Sequence, residues 1–271
     1  MDISRYQTLF ISDVHLGTPD CQARYLLDLL EKTSAKQIYL IGDILDFLNM
    51  RRFVLPPEHE QVISKLLSLA EAGVQVTYLP GNHDAVLKRF SGHRIGSIEV
   101  KNSCVHYTRD GRKLLVSHGD EFDAALNAGV FWWWVGNLSH ACLLRLNTII
   151  NGVRQSLGLP FWSLARFLKS RVGSAMRFVR RFEWLVAHRA RELQVDGFVC
   201  GHVHHPDIRW VDDVLYINDG DWVEHCTFVA EDQEGKLALL HWADVKEILA
   251  REPSRATTVN PVTGVNPLVA R

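Results

Sequence analysis

Tyr6-Gln7-Thr8-Leu9-Phe10-Ile11-Ser12-Asp13-Val14-His15 is an apolar, strand-like run that ends in an acid and an imidazole two positions apart. The next hundred residues repeat the device. A helical pattern from about Asp20 to Lys32 leads to a second apolar run at 37–41, which ends in Gly42-Asp43. A helical pattern over 56–72 then leads to a third run at 75–79, closed by Gly81-Asn82-His83-Asp84. Val62, Leu66 and Leu69 fall one turn apart in that second helix, and Gly73 stands where a C-terminal cap is expected. Strand, helix, strand, helix, strand predicts a largely parallel sheet with right-handed crossovers, hence an α/β chain.

Beyond this core come strand-like pieces near 97–100, 103–108 and 112–116, a long helical block from about Phe122 to Leu193, and further runs at 196–200, 207–211, 214–218, 224–230 and 236–241. Sheet thus brackets the block on both sides. With 271 residues, 47% of them hydrophobic, the chain can bury one full core. The expected organisation is one domain over 1–250, an insertion at about 122–195, and a loose tail over 251–271, where Pro253, Pro261, Gly264 and Pro267 break any apolar period. A net charge of −1 excludes the large basic field of a general nucleic-acid binder, so no nucleic acid is expected as partner. Five scattered cysteines without a C-x-x-C pair predict reduced thiols and a cytoplasmic setting, and the first residues do not read as a secretory signal.

The chemistry sits in five short clusters at the ends of apolar runs: Asp13-Val14-His15, Gly42-Asp43, Gly81-Asn82-His83-Asp84, His118-Gly119-Asp120 and Gly201-His202-Val203-His204. In an α/β sheet the carboxyl ends of strands line the ligand crevice, so clusters far apart in sequence are expected to converge. Glycines beside Asp43, Asn82 and His202 allow close backbone approach. A lone Asp-x-His is a common loop accident; five such clusters, each at a strand end, are a metal site. Imidazole and carboxylate ligands suit Mn, Fe or Zn, and the absence of cysteine from the clusters argues against a structural zinc knot. Two ions about 3.5–4 Å apart need a shared carboxylate, and Asp43, in the middle of the order, is the candidate. His59, His93, His106, His140, His188 and His241 lack such a setting and read as surface or core residues; His205 and His225 are also left outside the metal set.

In this order the clusters resemble the calcineurin-like metallophosphoesterase family, with motifs spread from residue 13 to residue 204. The resemblance implies a metallophosphoesterase-type β-sandwich flanked by helices, with the helical insertion forming a lid, and a dinuclear hydrolase of phosphoric esters or anhydrides. It further implies one cation on Asp13, His15, Asp43 and His204, a second on Asp43, Asn82, His118 and His202, and a catalytic His83 supported by Asp84. Asp46 stands where the family often has an acid behind the ligands. A non-enzymatic scaffold that has lost ligands is the remaining class, and no ligand position is missing here.

The helical block has its own character. Phe122–Leu193 carries ten Lys or Arg against the acids Asp123, Glu183 and Glu192, whereas the rest of the chain has 20 basic against 28 acidic residues. Trp132, Trp133, Trp134, Trp162 and Trp184 are five of the eight tryptophans. Two readings stand: a lid that binds an anionic amphiphile, with Arg166, Lys169, Arg171, Arg177 and Trp132–Trp134 as candidate substrate contacts, or helices packed on the sheet with a solvated basic face. Ala124–Leu144 is uncharged and long enough to span a bilayer, but a single crossing would separate His118 from His202. Within the family, a helical insertion at this place is similar to that of the UDP-2,3-diacylglucosamine diphosphatases, Mn-dependent peripheral membrane enzymes of lipid A synthesis. The better-known members carry arginine where His83 stands, which leaves open another lipid-linked substrate, or a soluble phosphatase, nucleotidase or phosphodiesterase activity.

Overall fold

A computed structural model describes residues 4–50, 55–126, 150, 154, 156–157 and 173–254. Its first strands are the expected parallel set. β1 (Ser4–Ile11), β2 (Thr33–Ile41) and β3 (Gln75–Leu79) lie side by side in parallel, joined by α1 (Ala23–Lys32) and α2 (Pro57–Glu71). The left-handed Gly73, whose N–H bonds Ala70 O while Val74 N reaches Leu69 O, ends α2 as the sequence predicts. Short strands β4 (Arg94–Ile95) and β5 (Ile98–Val100) extend this sheet on one side.

The chain then builds a second sheet from β6 (Cys104–Tyr107), β7 (Lys113–Val116), β8 (Gly197–Cys200), β9 (Asp207–Val211) and β10 (Val214–Asn218), in the order β6-β7-β8-β10-β9. It returns to the first sheet as β11 (Thr227–Glu231), β12 (Leu237–Trp242) and β13 (Lys246–Arg251), antiparallel along the free edge of β1. β13 lies outside the expected strands, and ordered chain continues to residue 254, where the Trp210 indole donates to Pro253 O. Residues 255–271 of the expected tail lie outside the described residues.

The sheets pack face to face. Phe10, Tyr39, Ile41, Leu79, Val229 and Leu239 of the first interdigitate with Leu114, Val116, Val199, Ile208, Leu215 and Ile217 of the second. Each sheet is β-branched and aliphatic on both faces, because each outer face is also covered. α1 and α2 close the first through Leu26, Leu29, Leu30, Val62 and Leu66. α3 (Gly173–Glu192) closes the second through Phe182, Val186, Ala187 and Ala190, an apolar stripe at helical spacing. At about 1.5–3 kcal/mol for each large side chain fully buried, Phe182 and Val186 contribute most of what holds α3 on the sheet, with Glu183 pairing to Arg209 and Arg191 to Asp212 and Asp213 beside them. The structure is therefore a helix-flanked β-sandwich. It departs from the sequence reading at Phe122, where a 3-10 turn (Asp120–Phe122) stands instead of a helix start. Residues 127–149, and with them most of Ala124–Leu144, lie outside the described residues, among which no helix is long and apolar enough to cross a membrane.

Candidate metal centre

The parallel strands β1, β2 and β3 all end at one edge of the sandwich, as do β7 and β8 of the second sheet, and the five clusters follow those ends. Backbone bonds fasten the loops to one another. Asp13 N donates to Gly42 O (3.0 Å), His15 N to Asp43 O (2.8 Å), Asp46 N to Leu16 O (3.0 Å) and Gly201 N to His118 O (3.2 Å). Asp13, His15, Asp43, His202 and His204 all take left-handed φ values between 47° and 67°. Glycine is needed where the loops meet: a Cβ on Gly81 would fall 2.4 Å from Asp43 Oδ1, and one on Gly201 would fall 2.1 Å from Asp13 Oδ2.

The side chains converge on Asp43. Its Oδ2 lies 3.3 Å from His118 Nε2 and 4.0 Å from both His15 Nε2 and His83 Nε2, while its Oδ1 accepts the His83 N–H at 2.8 Å. On one side, Asp13 Oδ1 is 3.1 Å from His204 Nε2 and 3.9 Å from His15 Nε2. On the other, Asn82 Oδ1 is 3.3 Å from His118 Nε2, and the rings of His118 and His202 are 5.1 Å apart. All seven residues expected as ligands are thus gathered in one place. Two triads whose ligand atoms lie within 4.8 Å of one another, Asp13/His15/His204 and Asp13/Asp43/His118, each have the reach of a cation site. A third triad, His15/Asp43/His83, meets the same condition.

The donor set fits divalent cations. His15 Nε2 and Asp13 Oδ1 are buried without a hydrogen-bond partner, a costly arrangement unless an ion takes both. Burial alone would raise the pKa of Asp43, but the surrounding imidazoles, His118 foremost, hold it well below the carboxylate range. His118 shows the converse: burial would lower its pKa, and the carboxylates of Asp43 and Asp13 carry it well above an ordinary histidine. An acceptor-only carboxylate shared by two halves, ringed by nitrogens, is a place for positive charge.

The support for His83 differs from expectation. Asp84 does not touch it. Its Oδ2 accepts Ile44 N (2.9 Å), Leu45 N (3.4 Å) and the Tyr78 hydroxyl (2.5 Å), and its Oδ1 accepts Gly81 N (2.6 Å), so it is a buried brace between two loops. The reason is steric: neighbouring side chains in a tight loop diverge, and Asp84 is turned inward. The carboxylate facing His83 is Asp46, with Oδ1 2.9 Å from His83 Nδ1, a close charge contact without the alignment of a hydrogen bond. Asp46 Oδ2 also accepts from His15 Nδ1 at 2.9 Å. His83 remains partly exposed and reachable, and although burial would lower its pKa, Asp46 and Asp43 raise it.

A second tier went unread in the sequence. Asp221 Oδ2 sits between His225 Nδ1 (2.5 Å) and His204 Nδ1 (3.7 Å), and its Oδ1 accepts Val223 N at 2.9 Å. The available signal was Gly220-Asp221 at the end of β10. Nothing else local marks it, because residues 219–226 form neither strand nor helix and carry the chain from the second sheet to the first. Asp123, at the root of the insertion, accepts from His202 Nε2 at 2.7 Å. Of the candidate substrate contacts, Arg177 stands exposed on α3, while Arg166, Lys169, Arg171, Trp132, Trp133 and Trp134 lie outside the described residues. On α3, Arg177, Arg180, Arg181 and Arg189 are exposed, Arg191 pairs with Asp212 and Asp213, and Trp184 is exposed, stacked on His188.

A helix-flanked sandwich with imidazoles and carboxylates gathered at its strand ends is the frame of a metallophosphoesterase. The family model described as calcineurin-like phosphoesterase matches residues 6–206, and the chain belongs to that family. It is a metal-dependent hydrolase acting on phosphoric ester or anhydride bonds. It is 26% identical over 260 residues to the UDP-2,3-diacylglucosamine hydrolase of Porphyromonas gingivalis, covering 84% of this chain and 95% of that one. To the protein of the same name from Edwardsiella ictaluri it is 26% identical over 246 residues, covering 84% and 89%. Among solved structures, the Escherichia coli phosphoesterase YfcE aligns over 90% of this chain and 97% of that one, with 15% identity and a TM-score of 0.47.

Proposed function

We propose that this chain hydrolyses a diphosphate or phosphoester in a nucleotide-linked, acylated substrate such as UDP-2,3-diacylglucosamine, using two divalent cations, Mn foremost and Fe or Zn as alternatives. The observation that carries the reading is Asp43, whose single Oδ2 lies within 4.0 Å of three imidazole nitrogens drawn from three loops. Asp13, His15, Asp43 and His204 would hold one cation, and Asp43, Asn82, His118 and His202 the other. Bound there, the pair would neutralise charge on the phosphoryl oxygens and activate the attacking water. The chain's own residues supply the rest. His83, oriented by Asp46 and reachable from solvent, donates to the phosphoryl group or its leaving oxygen. Asp46 fixes the His15 tautomer so that Nε2 faces the ions. The substrate class draws support from the named relatives, which align along most of their length.

The second reading, a soluble phosphatase, nucleotidase or phosphodiesterase, is favoured by α3, which packs its apolar stripe on the sheet and turns Arg177, Arg180, Arg181 and Arg189 outward. Mn-loaded protein assayed on UDP-diacylglucosamine and on its deacylated analogue separates the two. Preference for the acylated compound supports the first reading and a peripheral contact with the inner membrane; equal rates, or none on either, reject it.

A further inference from the structure

Three of the imidazoles show which of their nitrogens is free for a ligand. The fourth ligand histidine, His204, has Nε2 against Asp13 and Nδ1 near Asp221. His15 Nδ1 is bonded to Asp46 and His118 Nδ1 to Ile41 O (2.9 Å), so both carry their proton on Nδ1 and offer Nε2 to the site. His202 is reversed. Its Nε2 lies 2.7 Å from Asp123 Oδ1, and a carboxylate accepts only, so Nε2 carries the proton and Nδ1 keeps the lone pair.

Asp123 is well placed to hold that ring. It caps the 3-10 turn that begins at His118-Gly119-Asp120, with its own N–H on Asp120 O (3.2 Å). The turn is pinned from below by Phe122, buried against Phe182 of α3 and Phe198 of β8 at centroid distances of 5.7 and 5.9 Å. Phe182 in turn lies 6.1 Å from the His202 ring. The outgoing and returning ends of the insertion therefore both bear on His202, one through a hydrogen bond and one through packing. His202 itself sits at φ 67°, and its N–H donates to Asp13 Oδ2 at 2.9 Å.

We infer that Asp123 is a positioning residue that holds His202 with Nδ1 toward the second cation, tying the root of the insertion to the metal centre. The inference rests on the dinuclear reading above. Ligand histidines depend on such partners, whose loss typically weakens metal binding about 10–100-fold.

The test is a two-site Mn titration by calorimetry on the metal-free full chain, wild type beside Asp123→Ala and Asp123→Asn. Asp123→Ala should weaken one site about 10–100-fold and leave the other within about twofold, whereas Asp123→Asn, whose amide oxygen still accepts the Nε2 proton, should recover most of the loss. A spectroscopic readout separates positioning from general damage. In the Co-loaded protein, the hyperfine-shifted exchangeable N–H resonance that is absent in His202→Ala should also be lost from Asp123→Ala and retained in Asp123→Asn. Unchanged affinities, equal weakening of both sites, or persistence of that resonance in Asp123→Ala overturns the role of Asp123. Wild-type protein that takes up fewer than two ions overturns the dinuclear reading and this inference with it.

Discussion

Asp46→Asn probes how two imidazoles are aimed by one buried carboxylate. Oδ2 of Asp46 takes His15 Nδ1 at 2.9 Å and the Asn49 amide at 3.1 Å; Oδ1 faces His83 Nδ1 at 2.9 Å and takes Asn49 N at 2.8 Å. Burial on its own would raise the Asp46 pKa, yet the two histidines hold it well below the carboxylate range. Asparagine fills the same volume but exchanges one oxygen for a group that only donates. Whichever way the amide settles, one ring meets a donor at Nδ1 and moves its proton to Nε2, the nitrogen that faces Asp43. A loss at His15 costs about 10–100-fold in metal affinity. A loss at His83 costs up to about 10²–10⁴ in turnover. In either case kcat/KM on a nucleotide diphosphate substrate, measured at limiting Mn, should fall about 10-fold or more. The stability cost should stay near 1 kcal/mol, because the packing is unchanged. Initial rates, Mn calorimetry and a thermal melt measure the three quantities. A variant with two normally bound ions and kcat/KM within about threefold of wild type would refute the aiming role.

His83→Ala should cut turnover about 10²–10⁴-fold while Mn stoichiometry stays at two, and undiminished turnover would remove His83 from the reaction. Asp84→Ala should act on the fold instead: it strands Ile44 N, Leu45 N, Gly81 N and the Tyr78 hydroxyl, a cost of about 3–5 kcal/mol in denaturant titrations after partial relaxation. A fully stable but inactive Asp84→Ala protein would return Asp84 to the catalytic group. Glu231→Gln addresses pH. Burial would raise the Glu231 pKa, but bonds from His106, the Thr8 hydroxyl and Arg109 N hold it below the usual value. A depressed folded pKa means that this stability is fully present above the unfolded glutamate value and is lost as pH falls through the folded one. The variant should therefore flatten the decline of stability between about pH 5 and 3. An unaltered slope would contradict the assignment.

The parallel strands and the five clusters were legible because each rests on a local pattern: an apolar run, then a polar pair or a glycine. Gln75–Leu79 was read to the residue for that reason. What escaped were relations that no local pattern encodes. β13 is mostly exposed and mixed in charge, and it pairs along the edge that β12 offers. Asp84 was placed beside His83 by sequence adjacency, whereas the loop turns it toward Tyr78 and brings in Asp46 from 37 positions away. Asp123 and Asp221 became visible only when the sheets brought His202 and His204 to them.

The backbone at the site makes the same argument in energetic terms. Five candidate ligands sit in the left-handed region, where a side chain costs roughly 1 kcal/mol or more per residue, although aspartate tolerates it better than most. Two of them, Asp13 and Asp43, are also buried carboxylates near enough to repel each other. Against a total stability of about 5–15 kcal/mol, a cost of about 5 kcal/mol is large. Such strain persists where the neighbourhood over-determines the backbone, and here it is over-determined by bonds between loops, Asp13 N to Gly42 O and His15 N to Asp43 O, rather than by packing of the side chains themselves. The loops are thus held by their own backbone bonds in a shape that gathers carboxylates and imidazoles at some cost, and bound cations would offset that cost.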